Sequence, residues 1–442
     1  MNSSFYNGIS GMKTHQFGID VWSDNIAGIN TAGFKASTPE FSSIYNTQLA
    51  NSYFDPAFSD VGLGSSAQTT STNFEHGTTV STESEYDMAI NGDGWFGVVD
   101  QNGEKFYTRA GAFQRDKEGY LVDNKGNYVT GTSANNYANG IVVDEPKSPV
   151  PLVNVTEQSK ILIPEELIIP SSPTTAVNFS GSLNADIVTK FSAQTGKEEE
   201  VANVEVYRTN IFDAQGNENL LEIVLTKVVP QAETGMTWNA KATLMDENKN
   251  LLTIQEGQMK FNARGAIISN TLDSIDNNGS PTSLNFGTFY DPNIPNSGFD
   301  GLVSLSGFVS ERITTKDGHK EGNIQDYSIA ADGTIVASFD NGKSVPISRI
   351  AIYNFQNNRG LEKTNPIYFK ESANSGHARF FTDKEGNYLQ NASISTNRLE
   401  MSNINISSAL TELLVMQKAF DANSKSITTS DQMIQNAINM KK

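Results

Sequence analysis

Residues able to do chemistry are few and scattered in this chain. Four histidines, His15, His76, His319 and His377, are the only imidazoles in 442 residues, and there is no cysteine. Thiolate nucleophiles, disulfides and cysteine metal sites are thereby excluded. The histidines fall in four separate segments, which argues against an imidazole metal site. None lies in the strand-turn-helix context of a serine nucleophile. Asp273 and Asp276 beside Asn277-Asn278-Gly279 suggest a calcium loop, but no Glu closes it as an EF-hand requires. Gly92-Asp93-Gly94 leads into a strand-like run, whereas a phosphate-binding glycine loop leads into a helix. The expectation is a chain with no catalytic centre, no cofactor and no metal.

Stepping from single residues to elements, the two ends carry the strongest pattern. Phe5, Met12, Ile19 and Ile26 recur every seventh residue, with Gly8, His15, Trp22 and Ile29 three places after each. Ile406, Leu413, Phe420, Ile427 and Ile434 repeat the same period, followed at plus three by Ala409, Met416, Asn423, Ser430 and Ala437. Such spacing places side chains on one face of a helix. Each helix has one large apolar row and one weaker row, too little for a confident self-standing coiled coil. The simplest solution is that they pair, so that the two termini are joined. Both segments are poor in charge, whereas a solvated helix carries a charged outer face. They are therefore expected to be surrounded by more protein than one partner supplies.

Hydrophobic residues make up 37% of the chain and aromatics 9%, enough for a folded core in two to four domains. The formal net charge of −18 disfavours nucleic acid and anionic lipid. No run approaches the roughly 20 apolar residues of a membrane-spanning helix, and residues 5–22 lack the continuous apolar stretch of a secretory signal. Residues 34–80 are polar text with spaced aromatics (Phe41, Tyr45, Tyr53, Phe54, Phe58, Phe74), which reads as an extended docking arm or a disordered linker. From Tyr86 to Gly131 short β-type runs alternate with turns such as Gln101-Asn102-Gly103 and Asn124-Lys125-Gly126. Prolines cluster at 146–173 and again at 281–295, the marks of a domain boundary.

Several of these stretches resemble one family. Asn25-Ile26-Ala27-Gly28-Ile29-Asn30-Thr31-Ala32-Gly33-Phe34-Lys35 is similar to the N-terminal signature of the bacterial flagellar rod and hook axial family, with Gly28 where that family usually has Asn. Leu399-Glu400-Met401-Ser402-Asn403, followed by Gln417 and Ala422-Asn423, resembles its C-terminal signature. Ile90-Asn91-Gly92-Asp93-Gly94-Trp95-Phe96, residues 107–113, Asp332-Gly333-Thr334-Ile335 and Gly360-Leu361-Glu362-Lys363 resemble its core domain. Phe212-Asp213, Trp238 and Phe261-Asn262 in order resemble the outer domain of hook proteins.

The expected fold is mainly β with terminal α-helices: paired N- and C-terminal helices, a discontinuous β-domain and an inserted β-domain. The domains are expected at 1–33 with 404–442, an arm at 34–80, 81–148 with 301–403, and an insert at 149–300. The first helix is expected to close at Gly33 as a left-handed C-cap. The resemblance implies a self-assembling structural subunit of the flagellar hook, exported without a cleaved signal by the flagellar type III apparatus and sited outside the cell. It implies as partners further copies of the chain, the distal rod, the hook cap and the hook–filament junction protein. The alternatives are a rod protein of the same family or a secreted β-rich adhesin. The assembly surface is expected to run along Phe5, Met12, Ile19, Trp22, Ile26, Ile406, Leu413, Phe420, Ile427 and Ile434.

Overall fold

The computed structural model describes residues 2–44, 64–145, 149–194, 196–229, 236–307, 311–382, 388–389 and 391–440. Helix α1 spans Asn2–Ala27 and helix α2 spans Ile406–Met440. Asn405 opens α2: its Oδ1 accepts the Ser408 N–H at 3.1 Å, as an N-cap side chain does. The helix is about 50 Å long at about 1.5 Å per residue. It runs antiparallel to α1. Ser4 Oγ lies 3.3 Å from Ser430 Oγ at one end, and Gly18 faces Met416 nearer the other.

The end of α1 differs from the expected cap. The helix stops at Ala27, where the Gly28 N–H still reaches Asp24 O at 2.9 Å and the Thr31 N–H then closes a tight turn on Gly28 O. A side chain at Gly28 would strike the Phe34 ring. Glycine there lets the chain reverse against its own aromatic. Gly33 is left-handed, with φ +70°, but it serves a later turn.

After that turn, Ser37–Ser43 and Ser65–Thr72 form an antiparallel ladder lying along α1. Thr14 Oγ1 donates to Ser65 O at 3.0 Å, and the Phe41 ring meets His15 edge-on. Phe74 packs on Trp95 and Phe369 of the β-domain, with ring centroids 5.7 Å from each. Tyr45, Tyr53, Phe54 and Phe58 lie outside the described residues.

The first β-domain is assembled from two distant stretches of chain. Ser344–Ile350 pairs with Tyr128–Ser133, Tyr368–Lys370 with Lys105–Thr108, and Ser393–Thr396 with Met88–Asn91. Its core buries Phe96, Val98, Leu121, Val129, Ile335, Ile347 and Ile394 together.

The insert is two sheets around one core. Glu218–Lys227 alternates between buried and less buried positions along its whole length, as a strand with one covered face must. It sits in a five-stranded antiparallel meander from Val204 to Asn270. A second sheet runs through Ala176–Asn184, Ser280–Asn285 and Leu302–Leu305. Trp238 is fully buried between them and its indole N–H donates to Ser304 Oγ at 3.1 Å.

The insert boundaries fall elsewhere than 149 and 300. Ile161, Ile163, Leu167 and Ile169 belong to the core of the first domain, and Ile168–Ile169 pairs with Gly322–Ile329. Leu302–Leu305 and Ile313–Lys316 belong to the insert. The crossing is a narrow neck, where the Ser172 N–H donates to His319 O and the His319 N–H returns the bond to Ser172 O. Pro149, Pro151, Pro164, Pro170 and Pro173 fall in irregular chain, whereas Pro281 lies inside the strand Ser280–Asn285 and Pro292 and Pro295 in turns of the insert.

Candidate functional site at the joint of the two termini

The two terminal signatures meet on one carboxylate. Glu400 ends the strand Arg398–Glu400, which pairs with Thr79–Ser81. Its Oε1 accepts the Lys35 ammonium at 2.6 Å and the Gly77 N–H at 3.0 Å, and its Oε2 accepts Arg109 Nη1 at 3.2 Å. These three side chains are 1%, 5% and 1% exposed for Lys35, Arg109 and Glu400. Each cation also uses a further donor. Lys35 Nζ donates to Glu75 O at 2.8 Å, and Arg109 donates to Ile90 O and Gly92 O.

Burial by itself would raise the Glu400 carboxyl. Arg109 and Lys35 outweigh it and hold the group below its ordinary value, so it stays ionised. Burial pulls the Lys35 ammonium below its usual range against the pull of Glu400. Two cations share one anion, and removing that anion would strand both.

Hydrogen bonds to the backbone finish the joint. Asn25 Nδ2 donates to Ser37 O at 2.6 Å while its Oδ1 accepts the Ser37 N–H at 2.8 Å, fixing the end of α1 to the start of the arm. Asn403 does the same between chain ends: Oδ1 accepts the Ala36 N–H, and Nδ2 donates to Asn73 O and Glu75 O. The Gly33 N–H donates to Glu400 O at 2.7 Å. A Cβ at Gly33 would lie 2.2 Å from Ala110 N, so both its φ and its surroundings demand glycine. Lys363 donates to Lys35 O and Ser37 Oγ and stands 4.7 Å from the centre of the buried Phe34 ring.

Of the signature residues, Asn25, Gly33, Phe34, Lys35, Glu400 and Asn403 are thus brought together. Leu399 is half-buried in the short ladder, opposite Val80, and Thr31 contributes its backbone to the turn. Ser402 is buried nearby, and Asn30 is exposed. Arg109 is the residue that sequence reasoning missed. Its signal was a cation held between the strand Lys105–Thr108 and Gly111, a glycine whose added Cβ would strike Met88 O.

Along the helices, the expected seam is placed differently. Phe5, Met12, Ile19, Trp22 and Ile26 are half-buried, as are Leu413, Phe420, Ile427 and Ile434, while Ile406 is 50% exposed. The centre of the contact belongs to small residues: Gly8, Gly11 and Gly18 are buried, as are Ala409 and Ser430 of α2. An added Cβ would come within 2.7 Å of Ile427 at Gly8, 2.6 Å of Asn423 at Gly11 and 2.9 Å of Met416 at Gly18. Close backbones fill the middle with glycine, so the large apolar rows lie at the flanks and are half covered. The signal was present: glycine costs about 1 kcal/mol inside a helix, and α1 holds three facing one partner.

Among the described residues no group of three or more His, Asp or Glu is placed to hold a metal, and no helix is long and apolar enough to cross a membrane. What the fold and the joint define is a structural chain whose two ends are clamped to each other and to a β-domain.

Comparison with known proteins supplies the family. Residues 5–35 match the family model described as flagella basal body rod protein, residues 89–185 the flagellar hook protein FlgE/F/G D1 domain, and residues 395–440 the flagellar basal body rod FlgEFG protein C-terminal region. The chain is 27% identical to the flagellar hook protein FlgE of Escherichia coli (strain K12), across 99% of this chain and 100% of that one. It is also 27% identical to flagellar hook protein FlgE of Borreliella burgdorferi, with both chains covered completely. Helicobacter pylori flagellar hook protein FlgE2 has a similar fold, with a TM-score of 0.54 over 73% of this chain and all of that one, at 18% identity. The chain is thus similar to bacterial flagellar rod and hook proteins at both termini and in the first β-domain.

Proposed function

We propose that this chain is a structural, self-assembling subunit of the bacterial flagellar hook and carries no catalytic activity. The observation that carries the reading is the joint. Residues 25–35, Arg109, Lys363 and residues 399–403 converge on it, and it holds α1 and α2 as a pair with apolar side chains still uncovered. Large side chains left in water on an otherwise well-packed chain mark a surface that another protein covers. The covering protein is a further copy of the chain, and repetition builds a tube with the helices inward and the insert outward.

By the same reading the subunit meets the distal rod at one end of the tube. At the other it meets the hook cap and later the hook–filament junction protein. It reaches the cell exterior through the flagellar type III export apparatus. The domain between about residues 173 and 318 favours a hook subunit over a shorter rod protein.

Electron microscopy of purified protein at rising concentration tests the reading. Hollow, flexible tubes are the expected outcome. Small closed oligomers would favour an adhesin, and stiff straight rods would favour a rod protein.

A further inference from the structure

The glycine line of α1 faces α2 within one chain and the heptad rows flank it half covered, so the contact between copies has to use what remains uncovered. On α1 the half-buried Phe17, which belongs to neither row, edges such a surface. Phe17 lines two adjoining clefts of about 350 and 370 Å³. Met12 and Phe420 line the first, with Lys13 and Asp20 at its edge. Val21 and Pro366 line the second, with Asp20, Asp24 and Lys363 around it.

On α2 the uncovered side chains are Leu410, Leu414 and Val415, which are 45%, 57% and 53% exposed. Leu410 and Leu414 are one turn apart on the same side of the helix, and Lys418 follows one turn later. Neither leucine lines either cleft. Both are exposed, so the chain does not fill its own cleft with its own ridge.

We propose that Leu410 and Leu414 of one copy seat in the Phe17 clefts of the next, with Lys418 against Asp20. This rests on the hook-subunit reading and names the surface through which the copies join. Three observations favour a second copy as the occupant. An apolar ridge and an apolar cleft coexist on one chain and are both unfilled. The cleft edges carry Asp20 and Asp24 beside Lys13 and Lys363, the latter held by Lys35 O and Ser37 Oγ, and the ridge continues into Lys418, whose acidic neighbour Asp421 is 4.0 Å away and exposed. Finally, ridge and cleft are different surfaces, so each copy joined presents a fresh ridge and a fresh cleft. Such a contact is heterologous and propagates without closing, as a tube requires.

The absence of native cysteine makes the test direct. A disulfide forms only where Cα atoms come within about 7 Å. Phe17→Cys/Leu414→Cys protein, assembled and then oxidised, is expected to give a ladder of covalent multimers on a denaturing gel, and either single variant to give none. Dimers from Phe17→Cys alone would mean a two-fold contact and overturn the proposal. Assembled polymer without a ladder would overturn it too, while leaving the hook reading intact. Wild-type protein that never polymerises would sink the hook reading itself.

A charge exchange covers the case in which the cysteine variant fails to assemble. Asp20→Lys and Lys418→Asp should each raise the critical concentration for assembly about tenfold, and the pair together should restore it. Equal critical concentrations in all four proteins would contradict the contact.

Discussion

At the joint, the side chains of Lys35, Arg109 and Glu400 are almost wholly buried, and each is bonded to the others or to backbone carbonyls. Along the helix pair, which begins a few residues away in the chain, Phe420 and Ile434 are half covered and Leu414 is mostly in water. Both regions join the N-terminus to the C-terminus. One is finished within a single chain and the other is not. A buried charge network tolerates no missing member, because each loss leaves an uncompensated ion in a medium of low dielectric. A half-covered apolar flank loses little when a neighbour is absent and gains when one arrives. The joint therefore suits a region that must hold in every subunit, and the helix pair suits one that matures on assembly.

The largest effect on the monomer is expected at the centre of the joint. Glu400→Leu strands Lys35 and Arg109, and breaking a buried pair in this way costs about 3 to 5 kcal/mol. Urea unfolding of the monomer should register that loss, and a change under about 1 kcal/mol would show that the network is not the clamp.

Gly33→Ala should come next. A non-glycine residue at φ +70° costs about 1 to 3 kcal/mol from the backbone alone. The contact with Ala110 N adds to that. Thermal unfolding checks it, and an unchanged melting temperature would mean that the turn relaxes freely.

A smaller, graded effect follows from pH. Glu400 is held below its ordinary value in the folded chain, so its contribution is present above the unfolded carboxyl pKa of about 4.3 and is lost as pH falls through the lower folded value. Other depressed carboxyls, Asp213 and Asp317 among them, weaken the whole protein in acid. The diagnostic is therefore a difference: the stability gap between wild type and Glu400→Leu should narrow below pH about 4. A gap that stayed constant would show Glu400 to be neutral in the fold.

The sequence made the helix pair legible, and it marked most residues of the joint as family motif while leaving their contacts hidden. Rows repeating every seventh residue from Phe5 and from Ile406 are a periodic signal, and both helices exist where the rows run. The turns at Asn102-Gly103 and Lys125-Gly126 were legible because positive φ favours glycine, and both glycines adopt it. The Lys35–Arg109–Glu400 network gave no such signal. Its members are separated by up to 365 residues, and a charge in polar text looks like a solvated one. Proline misled at the insert because the irregular chain that carries Pro149 to Pro170 packs with the first domain and does not bound it. Gly8 stood in the sequence only as a member of the weaker row, whereas with Gly11 and Gly18 it forms the line along which the helices approach.

The smallest effect on the monomer should come from the helix pair. Phe420→Asp is expected to shift monomer stability by no more than about 0.5 kcal/mol, yet to abolish assembly, because a carboxylate would then be desolvated between copies. A fall comparable with that of Trp95→Ala in the β-domain would place Phe420 in the monomer's own core.

Hydrogen exchange read by mass spectrometry on dilute monomer, and again on assembled polymer, tests the contrast most directly. In the monomer, peptides covering residues 5–24 and 410–438 should exchange early, while those covering 31–37 and 398–403 remain protected with the β-domain. Assembly should then slow the helices and leave the joint unchanged. Helices as protected as the β-domain in the dilute monomer, or a joint protected only in the polymer, would contradict the division between a region finished in one chain and a region finished by its neighbours.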